Sequence, residues 1–216
     1  MKRKHCAAML IATLLFGSAS LSATTLADAA EDYFPGSSAG EPALFPASGT
    51  GFWSFGAAAA LDGGSNVAME WDPGANVYEN ADADHNNGTP ELLPLGHFAL
   101  DELRTHPTLS RVAVMEWTAG ADEGGTVLVS GHVRKIDTNG GDGVAFVVYV
   151  NGQNQSNGSI AFDDNVGQSF ALLTSIAGGE RIRLVIDDRS NELFDLTAFQ
   201  MRIVADSLFT EQFETP

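Results

Sequence analysis

A period-two alternation of apolar and polar residues runs through the middle of this chain. In Thr126–Ile136, Val127, Val129 and Val133 alternate with Ser130, His132 and Arg134, with Gly131 on the apolar side. That spacing predicts a strand with one buried and one wet face. Val144–Val150 is apolar at nearly every position, as expected of a central strand covered on both sides. From Arg111 to Gly152 such runs are separated by Gly, Asp and Asn clusters, the pattern of successive strands and turns. Ile182, Leu184 and Ile186 alternate with Arg181 and Arg183 within Glu180–Ile186. Within Leu193–Val204, Phe199, Met201 and Ile203 face one way and Gln200 and Arg202 the other.

Shorter strands are predicted at Gly51–Gly56, Val67–Trp71, Gln155–Phe162 and Gln168–Ser175; Leu95–Leu103 fits helix or strand. No long amphipathic helix and no internal repeat interrupts the series. The prediction is an all-β, antiparallel two-sheet β-sandwich of jelly-roll type. Its single domain spans residues 50–204, with Val129, Val133, Phe146, Val148, Ile182, Leu184, Phe199 and Ile203 inside. An acidic tail, 205–216, follows.

The N-terminus changes the picture. Lys2, Arg3 and Lys4 precede the apolar run Cys6–Phe16, and Ala27-Asp28-Ala29 forms an A-x-A pattern. This layout predicts a secretory signal peptide over residues 1–29, with a cut after Ala23 as the alternative, and a flexible leader over 30–49. The expected location is periplasmic or extracellular. Cleavage removes Cys6, the one cysteine, leaving neither disulfide nor thiol chemistry. The formal charge of −17 becomes more negative still once the leading lysines and arginine are gone. Such a surface repels phosphate backbones and anionic lipid, so nucleic acid and membrane insertion are disfavoured.

Several short pieces recur in one order along the chain: Trp53-Ser54-Phe55-Gly56, His106-Pro107, Val114 through Trp117-Thr118-Ala119, and Gly124-Gly125-Thr126. Gly131, Asp142-Gly143-Val144, Asn151-Gly152, Gly178-Gly179-Glu180, and Asp195 with Thr197 continue the series. In these the chain resembles a family of secreted bacterial β-sandwich modules similar to carbohydrate-binding domains. Two features depart from that family: Gly120 stands where a proline is usual, and no C-terminal sorting tail follows Val204. The resemblance implies one β-sandwich and a polysaccharide or glycan as partner.

A sandwich hosts many chemistries, so sites must be argued separately. There is no H-E-x-x-H or C-x-x-C motif, and the histidines lack metal-ligand spacing. His132 and Arg134 hint at the basic set of a polysaccharide lyase, but their alternation with Ser130 describes an ordinary strand face. No catalytic residue is assigned. Calcium, which takes oxygen ligands from glycine-bearing loops, has three candidate loops. They carry Asp82, Asp84 and Asn86; Asp137 and Asp142; and Asp187, Asp188, Asn191 and Asp195. The first is not an EF-hand, since Asn87 and Leu93 stand where Gly and Glu are required. The competing reading of each is a turn whose Asp and Asn side chains bond their own backbone. Sugar binding needs an aromatic platform beside polar groups, and Trp71, Tyr78 and Trp53 are the candidates, Trp117 reading as core. The sequence thus points to an exported, non-catalytic carbohydrate-binding module assisted by calcium. An adhesion module and a small polysaccharide-active enzyme are its rivals.

Overall fold

The computed structural model describes residues 23–33, 49–61, 66–72, 77–80, 91–94, 102–107, 111–190 and 195–205, and among these described residues it forms thirteen strands and one short helix. The strands are β1 (Thr24–Asp28), β2 (Phe52–Ala58), β3 (Asn66–Asp72), β4 (Val77–Asn80), β5 (Glu91–Pro94), β6 (Leu103–His106) and β7 (Val112–Thr118). They continue with β8 (Gly125–Lys135), β9 (Val144–Val150), β10 (Gln153–Ile160), β11 (Gln168–Ile176), β12 (Arg181–Asp187) and β13 (Thr197–Ala205). The helix α1 (Ala29–Tyr33) follows β1.

All pairings are antiparallel, in the order β10-β9-β12-β7-β2-β3-β4-β5-β6-β13-β8-β11, with β1 added to β13. The path folds into two layers at β3. Its first half, Asn66–Ala68, pairs with β2; its second half, Met69–Asp72, pairs with β4 in the other sheet. A strand that changes sheets forms one corner of the sandwich. The all-β, two-sheet antiparallel architecture expected from the alternation is the one found.

Between the sheets lie Trp53, Phe55, Trp117, Val129, Val133, Phe146, Val148, Ile182, Leu184, Phe199, Met201 and Ile203, including every residue the alternation assigned to the interior. β9 is buried on both faces, as its unbroken apolar run predicts. Phe146 and Val148 enter the main core, whereas Val147 and Tyr149 join Val112, Val114 and Val185 in a second cluster on the opposite side of the sheet. Gly131 is a glycine for want of room: a Cβ there would stand 2.3 Å from the Phe170 ring and 2.3 Å from the Gln200 carbonyl.

Two features lie beyond those expectations. Residues 24–33, the end of the expected export segment and the start of the expected leader, pair and pack with the sheets, and Thr24 directly follows the alternative cut after Ala23. β1 aligns Thr24 with Ala205 and Asp28 with Arg202; Ala27, Ala29 and Ala30 are buried. Asp28 Oδ1 accepts from the Ala30 and Glu31 amides, capping α1. Second, the inward row of β8 continues past Val133. Continuing the same parity brings Lys135 inside, wholly enclosed.

Candidate functional site

The three aromatic candidates separate. Trp71 of β3 and Tyr78 of β4 are direct cross-strand partners in register. Trp53 does not belong with them. It is 1 % exposed, lies opposite Trp117 in register, and donates its indole Nε1 to Asp32 Oδ2 at 2.8 Å. A ring packed in the core with its polar edge satisfied cannot stack on a sugar. Its neighbour Phe52 is the outward ring of β2, at 41 % exposure, and sequence reasoning passed over it. Across that outer face Phe52 aligns with Thr118 and Thr118 with Arg181; one row on, Ser54 aligns with Glu116 and Glu116 with Arg183. Glu116 binds Arg183 Nε and lies 3.6 Å from Arg181 Nη1.

The calcium candidates also divide. Asp82, Asp84 and Asn86 lie outside the described residues. Asp137 closes a turn on itself: its Oδ1 accepts from the Asn139 amide at 3.0 Å and from Asn139 Nδ2 at 2.7 Å, the self-contained turn set against metal binding from the start. Asp142, Asp187, Asp188 and Asp195 lie near one another at one end of the sandwich. Asp142 sits in the β8–β9 loop between two left-handed glycines, Gly141 at φ 84° and Gly143 at φ 86°. Ser190 Oγ donates to its Oδ2, and Arg189 Nη1 donates to its carbonyl at 2.9 Å. Asp195, wholly enclosed at the entry to β13, accepts from Lys135 Nζ.

The electrostatics follow from burial. The Asp188 carboxyl is raised to about 7, first by desolvation, then by a hydrogen bond with Asp187 and by the charges of Asp187, Asp195 and Asp142. Burial also pushes Asp195 upward, against the pull of Lys135. One oxygen on each of Asp142, Asp188 and Asp195 is buried without a hydrogen-bond partner. Among the described residues, no three His, Cys, Asp or Glu groups stand as a ready-made metal centre.

His132 and Arg134, the hint of a lyase set, are both engaged. His132 contacts Ser169 Oγ at 3.0 Å through Nδ1 and the Val166 carbonyl at 2.8 Å through Nε2. Since a carbonyl only accepts, Nε2 carries the proton. Arg134 grips the buried Glu102 with Nε at 3.1 Å from both oxygens and Nη2 at 2.6 Å, which raises the arginine further above its usual value. Among the described residues, no helix is long and apolar enough to cross a membrane.

No protein-family profile matches the chain, and no curated protein does. Solved structures align with it at low identity. A family 35 carbohydrate-binding module from Clostridium thermocellum matches at 9 % identity and a TM-score of 0.37, over 54 % of this chain and 88 % of that one. A family 51 module from Clostridium perfringens, solved with methyl-galactose, gives 14 % and 0.30, over 45 % and 72 %. A family 22 xylan-binding domain from Paenibacillus barcinonensis gives 10 % and 0.31, over 54 % and 80 %.

Proposed function

We propose that this chain is an exported, non-catalytic glycan-binding β-sandwich module whose ligand face includes Trp71 and Tyr78. The observation that carries the reading is their register: two large aromatic residues stand directly opposite on adjacent antiparallel strands. A pyranose presents an apolar face and a hydroxylated rim, so aromatic residues in cross-strand register with Asp and Glu at neighbouring positions suit it. Glu70 and Glu79 are the next register pair, and Asp72 and Val77 the one beyond. Calcium belongs to this reading as an ion that orders loops, not as a reactant.

The test is a screen of the exported protein against immobilised polysaccharides, with Trp71→Ala, Tyr78→Ala and Phe52→Ala beside the parent. Loss of one stacking ring costs about 1 kcal/mol, roughly a fivefold weakening. Trp71→Ala and Tyr78→Ala are each expected to show it with little change in melting temperature. Failure to bind any glycan rejects the function. Weakening by Phe52→Ala alone rejects the face and moves the platform to the outer surface of β2.

A further inference from the structure

We propose that Lys135 and Asp195 are a covalent modification site, at which the folded chain joins Lys135 Nζ to Asp195 Cγ as an amide cross-link between β8 and the entry to β13. The inference does not rest on glycan binding.

The two side chains are wholly enclosed and in direct contact, Nζ donating to Oδ1. Asp195 Oδ2 is buried and accepts no hydrogen bond, so the amine sits against a carboxyl whose other oxygen nothing holds. The surrounding backbone fixes this meeting. Lys135 ends β8, and Asp195 lies two residues before Thr197, which pairs with Lys135 in register. The Ile136 amide donates to the Leu196 carbonyl at 2.9 Å, and Thr197 Oγ1 donates to the Asp195 carbonyl at 2.8 Å. Groups 60 residues apart in sequence are thus held together, which gives a reaction within one chain its advantage over the same reaction in solution.

Enclosure disfavours both charges. Moving one proton from the ammonium to the carboxylate leaves a neutral amine beside a carboxylic acid, the pair that can react. Nζ then attacks Cγ. The C–N bond forms, the C–OH bond breaks, and the hydroxyl takes a proton from the nitrogen and leaves as water. One water is the whole by-product, so the balance closes without an oxidant or a second reactant. Exclusion of solvent from the site then protects the amide from hydrolysis. With one cysteine the chain cannot close a disulfide within itself, and an amide here supplies a cross-link that reductants do not cut.

Mass spectrometry of the purified, denatured protein tests this. The parent should be lighter by one water than its own sequence requires. Trypsin should release a branched peptide that joins the segment beginning at Lys135 to the segment holding Asp195. Lys135→Arg and Asp195→Ala should each show the full sequence mass. If neither variant folds, the parent's mass and peptide map still decide. A parent at full mass overturns the proposal. So does a water loss that persists in either variant, or one that maps to Asp142-Gly143, where closure of an aspartyl-glycine succinimide also expels water.

Discussion

Lys135 donates a hydrogen bond to Asp195 with both side chains completely enclosed. The two lie at the same end of neighbouring strands, since β8 and β13 run antiparallel with Lys135 opposite Thr197. Removing one partner of a buried pair strands the other's charge, at a cost of about 3–5 kcal/mol, whereas replacing both with apolar groups of similar volume is often close to neutral. In EDTA, Lys135→Met should therefore destabilise by roughly that amount, and the Lys135→Met, Asp195→Leu double variant by clearly less. Urea unfolding of the single and double variants measures this. Additive losses would show that the pair is not coupled.

The N-terminal strand makes a second prediction. Asp28 caps α1 and lies 3.6 Å from Arg202 Nε, while Asp32 takes the Trp53 indole. A chain beginning at Thr24 should melt like the longest form. One beginning at Ala30 loses β1 altogether and should melt well below it. Asp28→Ala alone should cost about 1 kcal/mol through the lost cap. The intact mass of any N-terminally processed form should accordingly place its first residue at or before Thr24. A first residue at Ala30, with unchanged stability, would contradict the role given to β1.

Close packing over β8 gives a third. With the Phe170 ring and the Gln200 carbonyl both within 2.3 Å of an added Cβ, Gly131→Ala forces strands or ring to move. Overpacking of this kind costs about 1–3 kcal/mol. At Gly124 the nearest atom is 3.6 Å away, so Gly124→Ala is expected to fall within about 0.5 kcal/mol of the parent, as surface substitutions do. Equal stability of the two variants in thermal melts would refute the packing assigned to Gly131.

How far the sequence reached can be seen at single residues. Val129, Phe146, Leu184 and Ile203 were legible as core because a strand's period of two maps directly onto its two faces. Lys135 obeyed the same parity, yet a lysine at the end of an apolar row reads by residue type as surface. Its bond to the enclosed Asp195 is a contact that residue type does not reveal. Trp53 and Phe52 show the same limit from the other side. Both are aromatic and adjacent, and the register against β7 decides which one points inward.

The candidate site was legible in its parts and not in its assembly. Asp142, Asp187 and Asp195 drew attention as loop acids, but Asp137 had the same signature and proves to bond within its own turn. Asp142 and Asp195 are far apart in the chain, and no local pattern reports that they meet.

By itself the sequence determined the strand faces, the all-β class and the scarcity of positive charge, because these depend on side-chain period and composition. The tertiary structure decided that Thr24–Tyr33 belongs to the sandwich, that β3 turns the corner between sheets, and that acids from separate loops share one buried end. Those facts rest on contacts between distant segments, whose energies come from desolvation and pairing once the sheets have closed.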